Sequence, residues 1–302
     1  MKRVALKRVA SKLAAVLIVA ATFSSCAQVS RVSRVSDDAA YVFLLDKSAS
    51  TVQRRRPHAG VVTGADARGE YLSALRHIVS ALGPGTEVSG ALIDGNSLSV
   101  TSLPVRAELP AFDQLLDNQL VYRDDVIGRK KELVRQLEVA VYEGERAQST
   151  CIIDSLMLAQ QIFEGARVRK KVLVMVGDML EDCQGIDFDS NSRHGARGLP
   201  HDEGEVKLLL DELQKQHRIP NLGGVVVAVY GAKGGQQGDD NGRRYLMVKY
   251  FWSEFFKRAG AEVRDYGAFI RPPVASEAAL DLSLPEENPA AGSSPLASAG
   301  GE

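Results

Sequence analysis

The sequence predicts an α/β fold with a doubly wound, mainly parallel central sheet, helices on both faces and one antiparallel edge strand. Three observations support this prediction. Short apolar runs typical of buried strands alternate with longer segments whose apolar residues recur at helical spacing. Two of those apolar runs lead into aspartates, Asp46 and Asp178. The turn sequence Asp94-Gly95-Asn96 lies between two further runs and is typical of a β-hairpin, which supplies the antiparallel strand.

The first half of the pattern contains three predicted strands. Residues 41–45 predict a buried strand, and residues 88–93 and 98–103 predict the two arms of the hairpin. Helices are predicted at residues 71–82, where Gly83-Pro84-Gly85 ends the spacing, and at residues 112–120 and 126–141.

The second half repeats the alternation. Thr150 opens a predicted helix, and residues 172–176 form a second fully apolar strand just before Asp178. The remaining predicted elements are a helix at 206–213, a strand at 225–230, a helix at 245–256 and a strand at 262–266. Residues 40–272 are therefore predicted to form one domain.

The N-terminus has the features of an export signal. A basic leader precedes an apolar run over residues 13–23, which is shorter than the roughly 20 residues that span a bilayer. Phe23-Ser24-Ser25-Cys26 resembles the lipobox of bacterial lipoproteins. This resemblance implies a signal peptide over 1–26, lipidation of Cys26 and a lipid-anchored location in the cell envelope, either periplasmic or surface-exposed. Plain secretion and an uncleaved anchor are the alternatives.

The segments flanking the predicted domain have a different composition. Residues 27–39 are polar and repetitive and predict a tether, while residues 273–302 are rich in Ala, Ser, Pro and Gly and predict a disordered tail. The formal net charge is −1. A nucleic-acid partner is not expected, because such proteins usually carry a strongly basic face.

Oxygen-bearing side chains follow the two apolar strands that lead into aspartates. Asp46, Ser48 and Ser50 alternate along one strand-end loop, so they can converge on a single point. Thr150 and Asp178 are expected at the same edge, because ligands bind beyond the carboxyl ends of parallel strands. These hard oxygens suit Mg²⁺, Mn²⁺ or Ca²⁺. The alternative is that Asp46, Ser48 and Thr150 only cap turns and helices.

This five-part pattern resembles the metal-ion-dependent adhesion site of von Willebrand factor type A (vWA) domains, which have a Rossmann-like fold. The resemblance covers about residues 40–270. It implies that Ser48, Ser50 and Thr150 ligate the ion, while Asp46 and Asp178 act directly or through water. The sequence departs from that family in two places. Met179 follows Asp178 where the family commonly has glycine, and Ser149 lies next to Thr150 as a second candidate hydroxyl.

The expected function is metal-dependent binding of an acidic group on a protein or peptide partner. Two carboxylates at most balance the charge of a divalent ion, so the ion retains affinity for one further anionic oxygen. The loop at 51–69, with Arg54-Arg55-Arg56, is expected beside the site, where it helps to select an acidic partner. Cys151 and Cys183 flank the site and can form a disulfide in an exported protein; two buried thiols are the alternative.

An enzyme is the alternative function. Gly177-Asp178-Met179-Leu180-Glu181-Asp182 is similar to an element of haloacid-dehalogenase-type phosphatases, which also bind Mg²⁺ in a doubly wound sheet. That resemblance implies Asp46 as the nucleophile and Thr150 and Lys171 as phosphate contacts. One feature argues against a phosphatase. The general acid of those enzymes is usually a second aspartate two residues after the nucleophile, and Ser48 occupies that position here.

Overall fold

A computed structural model describes residues 34–47, 67–95, 98, 103–142, 147–183, 185–188, 196–232 and 242–267. The predicted signal peptide with Cys26, the tail, the two serines Ser48 and Ser50, and Arg54-Arg55-Arg56 all lie outside these residues. No helix within the described ranges is long and apolar enough to cross a membrane.

The central sheet has the predicted architecture. The strands within the described residues are β1 (Arg34–Val35), β2 (Ala39–Asp46), β3 (Glu87–Ile93), β4 (Val105–Glu108), β5 (Phe112–Asp113), β6 (Lys170–Val176), β7 (Asp182–Cys183), β8 (Ile186–Asp187), β9 (Val225–Tyr230) and β10 (Glu262–Gly267). Six of these described strands form one sheet in the order β10-β9-β6-β2-β3-β4. Neighbouring strands are parallel except at the edge, where β4 runs antiparallel to β3.

Helices cover both faces of this sheet. The described helices are α1 (Ala67–Ser80), α2 (Gln119–Tyr142), α3 (Ile152–Gly165), α4 (Glu203–Lys215) and α5 (Arg243–Arg258). Side chains alternate along a strand, so β2 directs Phe43 and Leu45 into the core under α1 and α2. Its Val42 and Leu44 enter the core under α3, α4 and α5. The doubly wound α/β prediction is confirmed.

The second hairpin strand lies later in the chain than predicted. The antiparallel partner of β3 is Val105–Glu108, with Val105 opposite Gly90, and not residues 98–103. A Cβ on Gly90 would lie 2.9 Å from the Cβ of Val105, so the glycine makes room for this buried valine. Val105 is fully buried over Gly90, whereas Leu98 in the predicted segment is 49% exposed, so burial favours the later segment.

The helix predicted at residues 112–120 is wrong. Phe112–Asp113 form β5, which pairs with β1, and a turn then leads into α2. Polar side chains cause this change because they hydrogen-bond to the local backbone: Asp113 Oδ1 accepts from Leu115 N at 3.0 Å, and Asn118 Oδ1 accepts from Leu120 N at 2.9 Å. Asn118 thereby caps α2, which is one continuous helix to Tyr142.

Candidate metal site

The candidate site begins at the adjacent carboxyl ends of β2 and β6. Leu45 pairs with Val176, so Asp46, the last residue of β2, lies beside Gly177. Asp178 follows immediately. Both aspartates are buried. The fold therefore brings together two carboxylates that are far apart in sequence, at the edge of the sheet where ligands of such folds bind.

Gly177 allows this close approach. A Cβ at this position would lie 2.6 Å from the Cβ of Asp46 and 3.0 Å from its Oδ2, so a side chain here would displace the carboxylate. The Gly177 amide donates to the carbonyl of Tyr230 at 3.0 Å, which ties the end of β6 to β9. Asp46 thus occupies the space that the missing side chain leaves.

The turn after Asp178 explains how this chain accommodates Met179. Its φ of 65° is in the left-handed region that favours glycine. Trp252 Nε1 donates to the Met179 carbonyl at 2.8 Å inside the core, and Asp178 Oδ1 accepts from Leu180 N at 3.1 Å. These two bonds hold a methionine in a glycine-like conformation and fix one oxygen of Asp178.

Thr150 lies on the segment that pairs with the loop after Asp178. It forms an antiparallel bridge with Asp182, whose amide donates to the Thr150 carbonyl at 2.9 Å. The prediction that Thr150 opens a helix is off by two residues, since α3 begins at Ile152. Capping of α3 by Thr150 is excluded as well, because the residue at the cap position is Cys151.

Ser149, the second candidate hydroxyl, has a different environment. Its Oγ would lie 2.6 Å from a Cβ on Gly95, just beyond the end of β3. Ser149 is half-buried, whereas Thr150 is buried beside Asp182. The two hydroxyl-bearing residues therefore have separate surroundings at this edge of the sheet.

Cys151 and Cys183 are joined by a disulfide across the same two segments, with their Cα atoms 5.0 Å apart. The bond links the residue after Thr150 to the loop that follows Asp178. Asp154 lies near the two sulfurs, and one ligand atom from each of the three residues falls within 4.8 Å of the others. Bonded sulfurs offer no thiolate, so this group is not a metal site while the disulfide is intact.

Glu181, which belongs to the phosphatase-like motif of the sequence, is a fully buried carboxyl group. Its Oε2 accepts from Ile153 N at 3.1 Å, which satisfies an amide at the amino end of α3. Burial raises the pKa of Glu181 from 4.5 to about 8, against the opposing effect of this bond. A glutamate three residues after Asp178 gives no sequence signal that separates this role from that of an exposed loop residue.

Lys171 does not belong to the site. It is the second residue of β6 and pairs with Ala40, six positions before Asp46 along β2. At about 3.3 Å per residue these positions are roughly 20 Å apart, farther than a lysine side chain reaches. The expectation that Lys171 contacts a phosphate held near Asp46 is therefore wrong.

The described part of the site fits a hard divalent cation. Asp46 and Asp178 supply carboxylate oxygens, Thr150 supplies a hydroxyl group, and all three residues are buried at the same edge of the sheet. A cation held here would offset the cost of burying the two carboxylates. Ser48 and Ser50 follow Asp46 directly in sequence.

Several solved structures are similar to this chain. A von Willebrand factor type A protein from Catenulispora acidiphila matches with a TM-score of 0.33 and 10% identity, over 74% of this chain and 42% of that chain. The ArnB paralog VWA2 from Sulfolobus acidocaldarius matches with a TM-score of 0.33 and 10% identity, over 65% of this chain and 36% of that chain. The PilB minor pilin from Streptococcus sanguinis matches with a TM-score of 0.36 and 12% identity, over 76% of this chain and 56% of that chain.

Two of these three neighbours are vWA proteins by name. The chain spans less than two thirds of the length of each of the three. It matches no protein-family profile and no curated protein.

Replacing Gly177 with alanine tests the close approach to Asp46. We expect Gly177→Ala to lower the free energy of unfolding by about 1–3 kcal/mol, because the new methyl group would overlap Asp46. Gly128→Ala is the matched control. It lies within α2 with no atom in reach of its Cβ, and should raise stability by about 0.5–1 kcal/mol. Urea denaturation measures both, and an unchanged midpoint for Gly177→Ala would contradict the contact.

Removing the disulfide tests its contribution to the site. The bond closes a loop with a sequence separation of 32, so replacing both cysteines with alanine should lower the free energy of unfolding by about 3–4 kcal/mol. In the unreduced, denatured chain, neither Cys151 nor Cys183 should react with a thiol probe. Labelling of both residues, read by peptide mass, would show two free thiols instead.

The buried carboxyl of Glu181 predicts a pH dependence. Its pKa is raised in the folded state, so its contribution to stability is complete below pH 4.5 and is lost as pH rises to about 8. Glu181→Gln should flatten this decline, while Glu164→Gln on the exposed surface of α3 should leave it intact. The measurement is the denaturation midpoint of the wild type and both variants from pH 5 to pH 9. Parallel profiles for the wild type and Glu181→Gln would rule out the raised pKa.

Proposed function

We propose that this protein is a metal-dependent binding module of the cell envelope. One divalent cation, Mg²⁺ or alternatively Mn²⁺ or Ca²⁺, is held by Asp46, Ser48, Ser50, Thr150 and Asp178. The cation binds an acidic group of a protein or peptide partner.

One observation carries the proposal. Asp46, Thr150 and Asp178 come from three distant parts of the sequence, and all three are buried at the carboxyl edge of the sheet. Asp46 lies against Gly177, the residue that precedes Asp178 in the sequence. Residues that only cap turns or helices would not need to be buried together at one edge of the sheet.

The donor set favours binding over permanent storage of the ion. Two carboxylates balance the two charges of the cation, and the remaining donors are neutral hydroxyls. Such an ion still attracts an anionic oxygen, which a glutamate or aspartate of a partner supplies. The carboxylate from the partner would complete the coordination, so partner binding requires the metal.

The proposed location follows from the N-terminal sequence. Lipidation at Cys26 would attach the protein to a membrane outside the cytoplasm, where a disulfide such as Cys151–Cys183 is stable. The proposed partner is therefore a protein of the envelope or of the cell exterior.

Metal binding by the purified protein is the first test. Calorimetry should detect Mg²⁺ binding by the wild type, and Thr150→Val should weaken it by about tenfold or more. Thr86→Val is the matched control. Thr86 is a buried threonine that precedes β3, at the end of the sheet away from the candidate site, and its hydroxyl donates to the Gly83 carbonyl at 2.8 Å. Equal affinities for all three proteins would contradict the proposed ligand set.

Partner capture is the second arm of the same test. A pull-down from the source cell envelope should retain a protein in Mg²⁺ and lose it with chelator or with Asp46→Ala. A partner that binds equally well in all three conditions would reject metal-dependent recognition. Hydrolysis of a generic phosphate ester that is abolished by Asp46→Asn would reject the binding module in favour of a phosphatase.

A further inference from the structure

The first three turns of α2 extend away from the core. The buried residues of this helix, Lys130, Leu133, Val134, Leu137 and Val141, all lie in its later part. Lys130 Nζ donates to the carbonyl of Ser80, the last residue of α1, at 2.7 Å. Residues 119–129 precede this contact and span roughly 16 Å at the rise of an α-helix. They project at the end of the sheet where the parallel strands begin, opposite the candidate metal site.

Large apolar side chains are exposed at the end of this projection. Leu115, Leu116, Leu120 and Val121, here called the apolar tip, are 72%, 84%, 71% and 67% exposed. A single exposed leucine needs no explanation, but four within seven positions form a patch of the kind that marks a contact surface.

The apolar tip is part of an ordered structure. Asn118 caps α2 between the two pairs of apolar residues. The rings of Phe112 and Tyr122 lie 4.8 Å apart between centroids, and the Tyr122 hydroxyl donates to the Pro110 carbonyl at 3.0 Å. These contacts fix the apolar tip to the strand that precedes it, so its exposure is maintained by the fold.

The N-terminal segment of the chain enters the domain beside the apolar tip. Arg34 pairs with Asp113, and Val35 pairs with Phe112. Cys26 is eight residues before Arg34, a distance of at most about 29 Å in extended chain. A lipid on Cys26 would therefore hold a bilayer within reach of the apolar tip.

Acidic and basic side chains are mixed around the apolar tip. Asp117 Oδ2 accepts from Asp113 N at 2.7 Å, and Asp125 pairs with Arg129 at 3.1 Å. Within the described residues 117–129, Arg123 and Arg129 are interspersed with Asp117, Asp124 and Asp125, so the basic side chains here do not form the cluster that selects anionic lipids. Its exposed apolar side chains favour the interfacial region of a bilayer of uncharged lipid.

We propose that the apolar tip inserts into the membrane surface beside the N-terminal anchor and orients the domain. β2, β3 and β6 begin near this end and run away from it, so the edge bearing Asp46 and Asp178 faces away from the membrane. This inference rests on the anchoring of Cys26 in the proposed function, and it is independent of whether the site binds metal.

A tryptophan reporter tests the insertion. Trp252 is the one tryptophan of the chain and is fully buried, so quenchers in lipid should not reach it. The full-length Leu116→Trp protein is purified from envelopes and reconstituted into vesicles of uncharged phosphatidylcholine with brominated acyl chains. Leu208→Trp is the matched control, since Leu208 is 68% exposed on α4. The mass of the N-terminal peptide reports separately whether Cys26 is lipidated.

We expect Leu116→Trp to lose much of its emission in brominated vesicles, with little effect of high salt, while Leu208→Trp is unchanged. Insertion is rejected if neither reporter is quenched or if both are quenched equally. It is also rejected if Leu116→Trp emits at short wavelength without lipid, because a second copy or the apolar segment of the chain itself then covers the apolar tip. Dependence on protein concentration separates those two results.

Discussion

The contact between Asp46 and Gly177 is the constraint on which the candidate site depends. Parallel strands end at a common edge, and Asp46 of β2 lies this close to the end of β6 because the facing residue, Gly177, has no side chain. Gly177 provides that gap on β6, next to Asp178. In the proposed site, a cation would offset the cost of burying the carboxylates of Asp46 and Asp178.

Several interactions hold the surrounding segments in place. The bond from Trp252 to the Met179 carbonyl fixes the turn after Asp178 in a conformation that is unusual for methionine. The Cys151–Cys183 disulfide joins the Thr150 segment to this turn, and Glu181 anchors the turn to the start of α3. The candidate site is thereby connected to the core under α3, α4 and α5, which would hold its residues in a fixed arrangement.

The sheet could be predicted from sequence because its central strands are buried on both faces and are therefore continuously apolar. Residues 41–45 and 172–176 are such strands, and the structure places both at the centre. The short edge strand β4 carried a weaker signal, and its position depends on the packing of Val105 over Gly90. The turn before α2 was missed because Asp113 and Asn118 bond to the backbone in a way that apolar periodicity does not reveal. At the site, Asp46 and Asp178 could be predicted from strand ends, whereas the role of Glu181 depends on tertiary contacts.

The two ends of the sheet have different chemistry, with buried oxygen-bearing side chains at one edge and the exposed apolar tip at the other. A crystal structure of the protein grown with Mn²⁺ would show whether the site binds metal, because the anomalous signal of the metal locates it independently of the protein atoms. We expect one ion in contact with oxygens of Asp46, Thr150 and Asp178. Those three residues separated from one another, with no ion between them, would contradict it.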